Sequence, residues 1–370
     1  MEAVTKFDVA VVGGGPGGSA AAAKCAEAGL ETLLLEKRKT PRNKVCTGMI
    51  MSDTAQSLVR EVFGDLPVEV LTTPPYLLGI KFHAPAVRTL IFEKKMPFAW
   101  RKDLDYWMND VSEKKGVIIW DKAKFKGLEE ERSGYVLKIN RKGKEEFVSA
   151  RFLIGADGTN SRVQNALFAK IAMKCQLCIR QCYQGRVDLD AEHVHYFYFN
   201  DLTAFEVNRK GDVILVEITP RSLKGAGNDI IQRVEEWLIR EFSISGSGGR
   251  LWRDGCLEPS MTQTRFSEPF PLCKGNALIV GNAAGLSKPI TGEGIGTALK
   301  SGMMAAEAVI SANKSGRKAE TFYMAMTQDI VSELDSMYRE RVKIGEAARR
   351  GLDCFLPTIA EVYRGITKRL

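Results

Sequence analysis

The sequence predicts an α/β protein, α+β overall, and three observations lead to this fold class. An apolar strand near each end of the chain stops at a glycine-rich turn that leads into a helix, as in a parallel sheet covered by helices. Residues 166–272 contain alternating strands, as in an antiparallel sheet. After Gly316, apolar positions mix with Lys and Arg in a helical pattern. We therefore expect two sheet-containing domains and a helical C-terminal region.

The composition narrows the class of protein. With 370 residues and 45% hydrophobic content, the chain is long enough for two domains that share a large interface. No apolar run approaches the roughly 20 residues of a membrane span, and residues 1–8 lack the apolar stretch of a signal peptide, so we expect a cytoplasmic location. The net charge of +8 is spread along the chain and does not indicate a nucleic-acid partner. The eight scattered Cys are expected to be mostly reduced thiols.

The first glycine-rich turn follows the apolar strand Phe7–Val12 and opens an alanine-rich helix that is expected to end at Gly29. Strand, turn and helix occur in the order of a Rossmann-like dinucleotide site. There, the first motif glycine allows a tight turn, the second lets backbone N–H groups approach a pyrophosphate, and the third allows close helix packing. The residues predicted to bind the dinucleotide here are Gly13, Gly15, Pro16, Gly17 and Gly18.

A second strand, 31–35, ends at Glu36, about 20 residues beyond the glycine motif. The Glu36 carboxylate is placed to accept hydrogen bonds from ribose hydroxyls and would repel a 2′-phosphate. Lys37, the next residue, is included in the predicted cofactor site. These features indicate an adenine dinucleotide but do not distinguish NAD from FAD.

A β-meander is predicted between Gly134 and Asp157. Two strands flank a Lys142-Gly143 turn, and the second strand leads into the sequence Gly-Ala-Asp-Gly at 155–158. The chain would return to the first sheet at this point and cross the ligand region. We therefore predict that Asp157 and Gly158 bind the cofactor.

The second glycine-rich segment follows the apolar strand 277–280 and opens a helix that is expected to run to about Ala312. A helix N-terminus carries roughly half a positive charge and free N–H groups. In a flavoprotein these would face the N1–C2=O edge of the ring, where negative charge accumulates on reduction. Gly292 and Gly294 are therefore candidate catalytic residues. The predicted cofactor contacts in this segment are Gly281, Asn282, Ala283, Gly285, Gly292, Gly294 and Ile295.

Together these segments resemble the FAD-dependent superfamily built on the para-hydroxybenzoate hydroxylase fold. Residues 13–18 match its dinucleotide fingerprint, 155–158 its DG motif and 281–285 its GD motif, and the similarity covers most of residues 5–310. The resemblance implies FAD as the cofactor. It also implies that Arg101 touches FAD, because this residue matches the superfamily's arginine that opens a helix.

Asn282 departs from the superfamily pattern, which has Asp at this position. Two interpretations remain open. The amide can hydrogen-bond a ribityl hydroxyl of the cofactor, or it can satisfy the backbone of its own loop.

The resemblance and the strand pattern together predict the domain organisation. A discontinuous FAD-binding domain comprises residues 1–75, 95–165 and 274–312. A substrate domain with an antiparallel sheet comprises 76–94 and 166–273, with strands such as 180–187, 194–199 and 213–218 and a helix at 228–242. The helical C-terminal region is 313–370, with helical pattern at 324–349 and 359–370. It is expected to rest on the catalytic domain or, alternatively, to contact anionic lipid at the membrane surface.

Two further segments are similar to those of geranylgeranyl reductases. The sequence from Lys44 to Ile50 resembles their Lys-Pro-Cys-Gly-Gly segment, and 289–295 resembles their Pro-x-x-Gly-Glu-Gly-Ile segment. The resemblance implies that Cys46, Thr47 and Gly48 lie beside the flavin, although Thr47 replaces a glycine. The aromatic and proline-rich "FPK" segment of that family appears here only as 205–212. Cys46 is a tentative catalytic residue, as a proton donor, or else a small packing residue.

The cysteine pattern Cys175-x-x-Cys178-x-x-x-Cys182 has an alternative interpretation as a metal site. On a strand, odd spacing puts Cys175 and Cys178 on opposite faces. No fourth ligand lies nearby in sequence, although Cys256 or a histidine could fold close. We therefore predict a strand and no metal.

The resemblance favours an FAD-dependent oxidoreductase that reduces C=C bonds of an apolar, isoprenoid-like substrate by hydride transfer from reduced flavin N5. The electron donor would be NAD(P)H or a reduced carrier protein. The alternatives are a flavin-dependent aromatic hydroxylase and an electron-transferring flavoprotein that acts on a quinone. An apolar or lipid-like substrate also leaves open a peripheral contact with the membrane.

Overall fold

The computed structural model describes residues 4–85, 88–168, 173–185, 187–219, 226–244, 249–259 and 270–367. The first part of the chain forms β1 (Thr5–Val12), α1 (Pro16–Glu27), β2 (Thr32–Leu35), α2 (Asp53–Phe63), β3 (Leu71–His83), β4 (Leu90–Ala99), α3 (Arg101–Lys114), β5 (Ile118–Trp120), β6 (Ala123–Glu131), β7 (Gly134–Arg141), β8 (Lys144–Gly155) and α4 (Arg162–Leu167). The second part forms β9 (Cys175–Gln184), β10 (His193–Tyr198), β11 (Ala204–Lys210), β12 (Val213–Ile218), α5 (Ala226–Phe242), β13 (Arg250–Pro259), β14 (Cys273–Lys274), β15 (Ala277–Ile279), α6 (Ile295–Ser315), α7 (Ala319–Met326), α8 (Gln328–Arg349) and α9 (Leu352–Thr367).

The first sheet has the strand order β14-β15-β8-β1-β2-β5, and the meander β6-β7 joins it by pairing with β8. Strand β1 pairs in parallel with both β2 and β8, and β15 pairs in parallel with β8. The C-terminal half of β1 and the whole of β2 are buried on both faces, which explains their continuous runs of Val and Leu. The predicted strand-turn-helix units and the meander are therefore confirmed.

Helices α1 and α6 cross closely beside this sheet, and glycines allow the contact. A Cβ on Gly302 would lie 2.2 Å from the carbonyl oxygen of Gly17. The N-terminus of α1 is likewise held against α6, because a Cβ on Gly17 would lie 2.8 Å from the oxygen of Ala298. The two glycine-rich segments, far apart in sequence, are thus adjacent in the structure.

The second sheet has the order β13-β9-β12-β11-β10-β3-β4. It was expected to be antiparallel, but β10 and β3 run parallel, so the sheet is mixed. The chain leaves this sheet after β4 and returns to it only at β9. No hairpin therefore fixes the relative direction of β3 and β10. The predicted strand 180–187 begins earlier, at Cys175, and its position 186 lies outside the described residues.

The region after Gly316 is helical, as predicted, although residues 368–370 lie outside the described residues. Helix α9 contains Pro357 and packs its apolar face, including Phe355 and Tyr363, into one cluster with Phe82 and Phe92 of the second sheet. Helix α9 therefore rests on the second sheet, whereas Tyr323 of α7 and Ile330 of α8 pack into the core of the first sheet. Among the described residues, none of the helices combines the length and apolarity needed to cross a bilayer.

Candidate functional site

The first glycine turn has no room for side chains at two of its predicted positions. Gly13 has a φ of +114°, and a Cβ there would lie 2.4 Å from the oxygen of Ala156. A Cβ on Gly18 would lie 1.9 Å from the oxygen of Gly13. The turn therefore brings the end of β1, the end of β8 and the start of α1 into direct contact, which leaves the N-terminus of α1 facing outward as a cradle for an anion.

Two guanidinium groups stand beside this turn. A Cβ on Gly15 would lie 3.4 Å from Arg42 Nη2 and 3.9 Å from Arg101 Nη2. Arg101 forms a bidentate pair with Asp105 at 2.8 and 2.9 Å, and Arg42 Nη2 lies 2.9 Å from the same carboxylate. Burial alone would lower the pKa of Arg101. The nearby Asp105 and Cys46 outweigh this effect and raise the pKa above its ordinary value. Sequence reasoning found Arg101 but missed Arg42, which lies in a loop without a motif.

Glu36 is buried behind the same turn. Its Oε2 accepts hydrogen bonds from the N–H of Gly14 at 3.2 Å and from Arg42 Nε at 2.9 Å, and its Oε1 accepts from the N–H of Arg38 at 2.9 Å. A carboxylate has about four acceptor sites, so one remains for a ribose hydroxyl. Burial lowers the pKa of the adjacent Lys37. Cofactor contact by Glu36 and Lys37 remains a prediction.

Asp157 of the predicted DG motif caps helix α4. Its Oδ1 accepts from the Ser161 hydroxyl at 2.5 Å, and its Oδ2 accepts from the N–H groups of Arg162 and Val163 at 2.7 and 3.3 Å. The following Gly158 has a φ of +83°, so the chain turns sharply there. Asp157 thus fixes the shape of this loop. Its contact with the cofactor remains a prediction.

Asn282 joins the second glycine-rich segment to the DG loop. Its Nδ2 donates to the Thr159 hydroxyl at 3.5 Å, and a Cβ on Gly294 would lie 2.9 Å from its Oδ1. The side chain therefore bonds another loop rather than its own backbone, contrary to the second interpretation given above. The neighbouring Ala283 is buried, and Gly285 adopts the left-handed conformation that ends this turn.

Helix α6 begins immediately after Gly294, as predicted. Glu293 fixes this end of the helix, because its Oε1 accepts from the N–H and hydroxyl of Ser52 at 3.2 and 3.0 Å. Lys288 Nζ forms an ion pair with the same carboxylate at 2.9 Å. Since Ser52 follows the Lys44–Ile50 segment, the two segments that resemble geranylgeranyl reductases are held together.

Both segments line one cavity of about 860 Å³ between the second sheet, α6 and the C-terminal helices. The predicted residues that line it are Cys46, Thr47, Gly48, Gly292, Gly294 and Ile295. Gly48 has a φ of +88°, and a Cβ there would lie 1.9 Å from the oxygen of Ala99, so no other residue fits. The cavity has a polar end and an apolar end.

Buried charged groups that sequence reasoning missed lie at the polar end and directly behind it. Lys210 Nζ donates to the carbonyl oxygens of Thr47 and Ala99 at 2.6 and 2.8 Å, and burial lowers the pKa of Lys210 to about 7. Thr47 Oγ1 donates to Glu206 Oε1 at 2.9 Å. Burial and the nearby Glu217 raise the pKa of Glu206 to about 7. The available signal was the polar residue at every second position of β11.

Arg180 completes the polar end. It forms an ion pair with Glu217, and its Nε and Nη1 are buried without a hydrogen-bond partner among the described residues. Buried donors of this kind are costly unless a ligand or water satisfies them. Because Arg180 lines the cavity, these N–H groups can donate hydrogen bonds to an anionic or carbonyl oxygen of a ligand.

The apolar end is aromatic. Phe82 stacks on Tyr196 with ring centroids 5.2 Å apart and meets Tyr363 edge-on at 4.8 Å, and Tyr198 meets Phe355 at 5.1 Å. These five residues line the cavity. Helix α9 contributes two of them, which no local pattern indicated, because its apolar face finds the second sheet only in the folded chain.

Comparison with known proteins places the chain in a family. Residues 6–198 match the family described as FAD binding domain. Protein CbrA of Escherichia coli O6:H1 is 25% identical over 335 residues, which cover 88% of this chain and 86% of that protein. A digeranylgeranylglycerophospholipid reductase of Methanococcus vannielii is 27% identical over 328 residues, which cover 85% of this chain and 80% of the relative.

Solved structures share the fold. A geranylgeranyl bacteriochlorophyll reductase-like protein from Thermoplasma acidophilum has a TM-score of 0.76 at 21% identity, with 100% of this chain and 99% of that chain covered. The p-nitrophenol 4-monooxygenase from Pseudomonas putida DLL-E4 has a TM-score of 0.77 at 14% identity, with 99% and 98% covered.

The described residues fit an FAD molecule. The turn that excludes a Cβ at Gly13 and Gly18 has the shape to receive a pyrophosphate at the N-terminus of α1, and the guanidinium groups of Arg42 and Arg101 lie beside Gly15 as further donors. The cavity lies at the N-terminus of α6, and the glycine turn lies at the N-terminus of α1. These two helix ends are adjacent. The chain therefore belongs to the FAD binding domain family and is an FAD-dependent oxidoreductase.

Proposed function

We propose that this protein reduces C=C bonds of an apolar, isoprenoid-like substrate that carries a polar end. The observation that carries the proposal is that one cavity is lined by both an aromatic surface and a cluster of ionisable groups, which adjoin where Tyr196 is hydrogen-bonded to Glu206. A digeranylgeranylglycerophospholipid reductase among the relatives supports it. The hydride would come from N5 of reduced FAD when the cofactor is bound.

The residues that would hold FAD follow from the site. Arg42, Arg101 and the first-turn amides of α1 would bind the pyrophosphate, and Glu36 would accept a ribose hydroxyl. The first-turn amides of α6, beyond Gly294, would face the electron-rich edge of the ring. The ion pair and hydrogen bonds of Glu293 keep this helix end fixed against the Cys46 loop.

Glu206 is the group best placed to supply the proton that accompanies the hydride. It is buried, lines the cavity and has a pKa raised to about 7, so about half of the carboxyl groups carry a proton at neutral pH. Lys210 is less suited, because its Nζ donates to the carbonyl oxygens of Thr47 and Ala99 and Lys210 is not among the residues that line the cavity. One hydrogen arrives as hydride and the other as the Glu206 proton, and solvent then reprotonates the carboxylate.

The polar end would bind the polar group of the substrate. Arg180 offers two buried donors there. Arg341 of α8 lines the same cavity, but it acts on Tyr198 and Tyr363 of the aromatic end. The aromatic end would receive the isoprenoid chain through contacts with Phe82, Tyr196 and their neighbours. Since such substrates reside in membranes, we also propose a peripheral contact of the protein with the bilayer, with NAD(P)H or a reduced carrier protein as the electron donor.

The test is anaerobic reoxidation of the reduced holoenzyme. We expect rapid reoxidation on mixing with a geranylgeranyl phospholipid or geranylgeranyl diphosphate, and none with the fully saturated analogue as the matched control. Enzyme that stays reduced with every polyprenyl compound would contradict the proposal.

A flavin-dependent aromatic hydroxylase is the second candidate. The charged groups at the polar end, Arg180, Glu206 and Glu217, suit an aromatic acid or phenol, and the fold is shared with a p-nitrophenol 4-monooxygenase. Oxygen uptake coupled to the consumption of NAD(P)H and of an aromatic acid would favour this function over alkene reduction.

A further inference from the structure

A pair of thiols lies next to the polar end of the cavity, outside the groups assigned above. Cys178 on β9 and Cys256 on the edge strand β13 are directly opposed partners in the antiparallel register. The two sulfur atoms and a carboxylate oxygen of Glu258 all lie within 4.8 Å of one another. Cys178 is buried, whereas Cys256 is partly exposed.

The backbone geometry at this pair suits a disulfide. Directly opposed residues of antiparallel strands have Cα atoms about 4.5 to 5.5 Å apart. Disulfides span Cα separations of about 4.4 to 6.8 Å. The register between β9 and β13 is shifted only between Arg250 and Trp252, and it is regular at Cys256. A bond between the two sulfurs therefore requires no rearrangement of the strands.

The two thiols differ in their surroundings, and the difference suits exchange. A hydrogen bond from Cys178 and the positive charges of Lys44 and Arg180 lower the pKa of Cys256 to about 6, against the effect of burial. The hydrogen bond to Cys256 and burial raise the pKa of Cys178. The more exposed thiol is thus the better nucleophile, and the buried thiol is its resolving partner.

We propose that Cys178 and Cys256 form a reversible cross-strand disulfide by exchange with a small-molecule disulfide such as oxidised glutathione. The Cys256 thiolate attacks one sulfur of the glutathione disulfide, forms a mixed disulfide and releases one glutathione thiolate. Cys178, on losing its proton, then attacks the Cys256 sulfur and releases the second glutathione. Two protein thiols are oxidised and one glutathione disulfide is reduced to two thiols.

The pair contacts the loop that carries Cys46. The Cys256 sulfur lies 3.8 Å from the carbonyl oxygen of Val45 and 3.8 Å from Glu258 Oε1. Glu258 lines the cavity. Formation of the disulfide removes the ionisable thiol group from beside both oxygens, so the redox state of the pair bears directly on the loop and the cavity.

A metal ion is the competing occupant, because two sulfurs and a carboxylate can bind zinc. Arg180 and Lys44 bring two positive charges to Cys256, which oppose a divalent cation, whereas the carboxylates of Glu217 and Glu258 also lie beside the pair. Among the described residues, the cluster also supplies only three ligands.

The test is equilibration of the holoenzyme in glutathione buffers that run from fully reduced to fully oxidised, followed by acid quenching, alkylation and peptide mass mapping. We expect a Cys178–Cys256 linked peptide that accumulates with oxidation and disappears on return to reduced buffer. C175S, on the same strand but opposite Pro259, is the matched control and should retain the link, whereas C256S should lose it.

Two outcomes would overturn the proposal. One is the absence of the linked peptide from the wild-type protein in every buffer while reduced glutathione and oxidised glutathione are both confirmed to be present. The other is about one equivalent of zinc in the purified wild-type protein, retained in C175S and lost in C256S, which would make the cluster a metal site. The wild-type measurement does not depend on the folding of any variant.

Discussion

The Thr47 hydroxyl donates to Glu206 Oε1 at 2.9 Å and joins two segments that are 159 positions apart in sequence. Thr47 belongs to the loop that carries Cys46, and Glu206 belongs to β11 of the second sheet. Lys210, on the same strand, holds the Thr47 carbonyl oxygen. The loop is therefore fixed to the sheet by hydrogen bonds to groups that themselves titrate near neutral pH.

Replacement of Glu206 by Gln is expected to lower kcat for alkene reduction about 100-fold or more, because the general acid is lost. The pKa of Glu206 is raised to about 7, so the wild-type carboxyl is protonated below this pH and its contribution is lost as the pH rises through it. The wild-type rate should fall above about pH 7, and the rate of E206Q should not show this step. The measurement is the pH profile of anaerobic single turnover.

E258Q is the matched control for this assignment. Burial, together with Glu217, raises the pKa of Glu258 to about 7 as well, and Glu258 lines the same cavity. If the step in the pH profile disappears in E258Q and persists in E206Q, Glu206 is not the proton donor.

Replacement of Arg42 by Ala is expected to weaken FAD binding by about 1.5 to 3 kcal/mol, roughly 10-fold to 100-fold or slightly more in Kd, if its guanidinium contacts the pyrophosphate. R38A is the control, because the Arg38 side chain donates to the carbonyl oxygen of Asn43 in an exposed position. The measurement is FAD titration of the apoprotein by fluorescence. Equal affinities for R42A and R38A would remove Arg42 from the cofactor site.

Replacement of Gly18 by Ala is expected to destabilise the protein by about 1 to 3 kcal/mol, because the new Cβ would meet the Gly13 oxygen at 1.9 Å. G127A is the control, since its Cβ would meet nothing within 4 Å, and its effect should stay within about 0.5 kcal/mol. Urea unfolding gives both values. A G18A protein as stable as G127A would show that the turn is looser than described.

Replacement of Ser52 by Ala removes the N-cap of α2, where the hydroxyl accepts from the N–H of Ala55, and also a donor to Glu293. We expect the free energy of unfolding to fall by about 1 kcal/mol. S57A, at an exposed position within the same helix, is the control and should be neutral or slightly stabilising. Thermal unfolding of the two variants makes the comparison, and a greater loss in S57A would contradict it.

The parts of the site that the sequence predicted are those with local causes. Gly13 and Gly18 were found because a tight turn between a strand and a helix requires glycine, and Gly48 because its short segment resembles that of geranylgeranyl reductases. The N-terminus of α6 was found for the same reason. Each of these signals is contained within a few residues of chain.

The residues that sequence reasoning missed are positioned by contacts between distant elements. Arg42 is placed by Glu36 and Asp105, and Arg180 by Glu217 across neighbouring strands. The parallel pairing of β3 with β10 was missed because no hairpin links these strands. Their positions depend on the tertiary fold, for which a single sequence contains no periodic signal.

The central claim is C=C reduction in the cavity between the second sheet and α9. Its most direct measurement is the mass of the product after one turnover of reduced holoenzyme with a geranylgeranyl phospholipid. The proposal predicts a product that has gained two hydrogen atoms per reduced double bond without consumption of oxygen. The proposal would be contradicted if the polyprenyl compound remained unchanged and an aromatic substrate instead gained one oxygen atom in air.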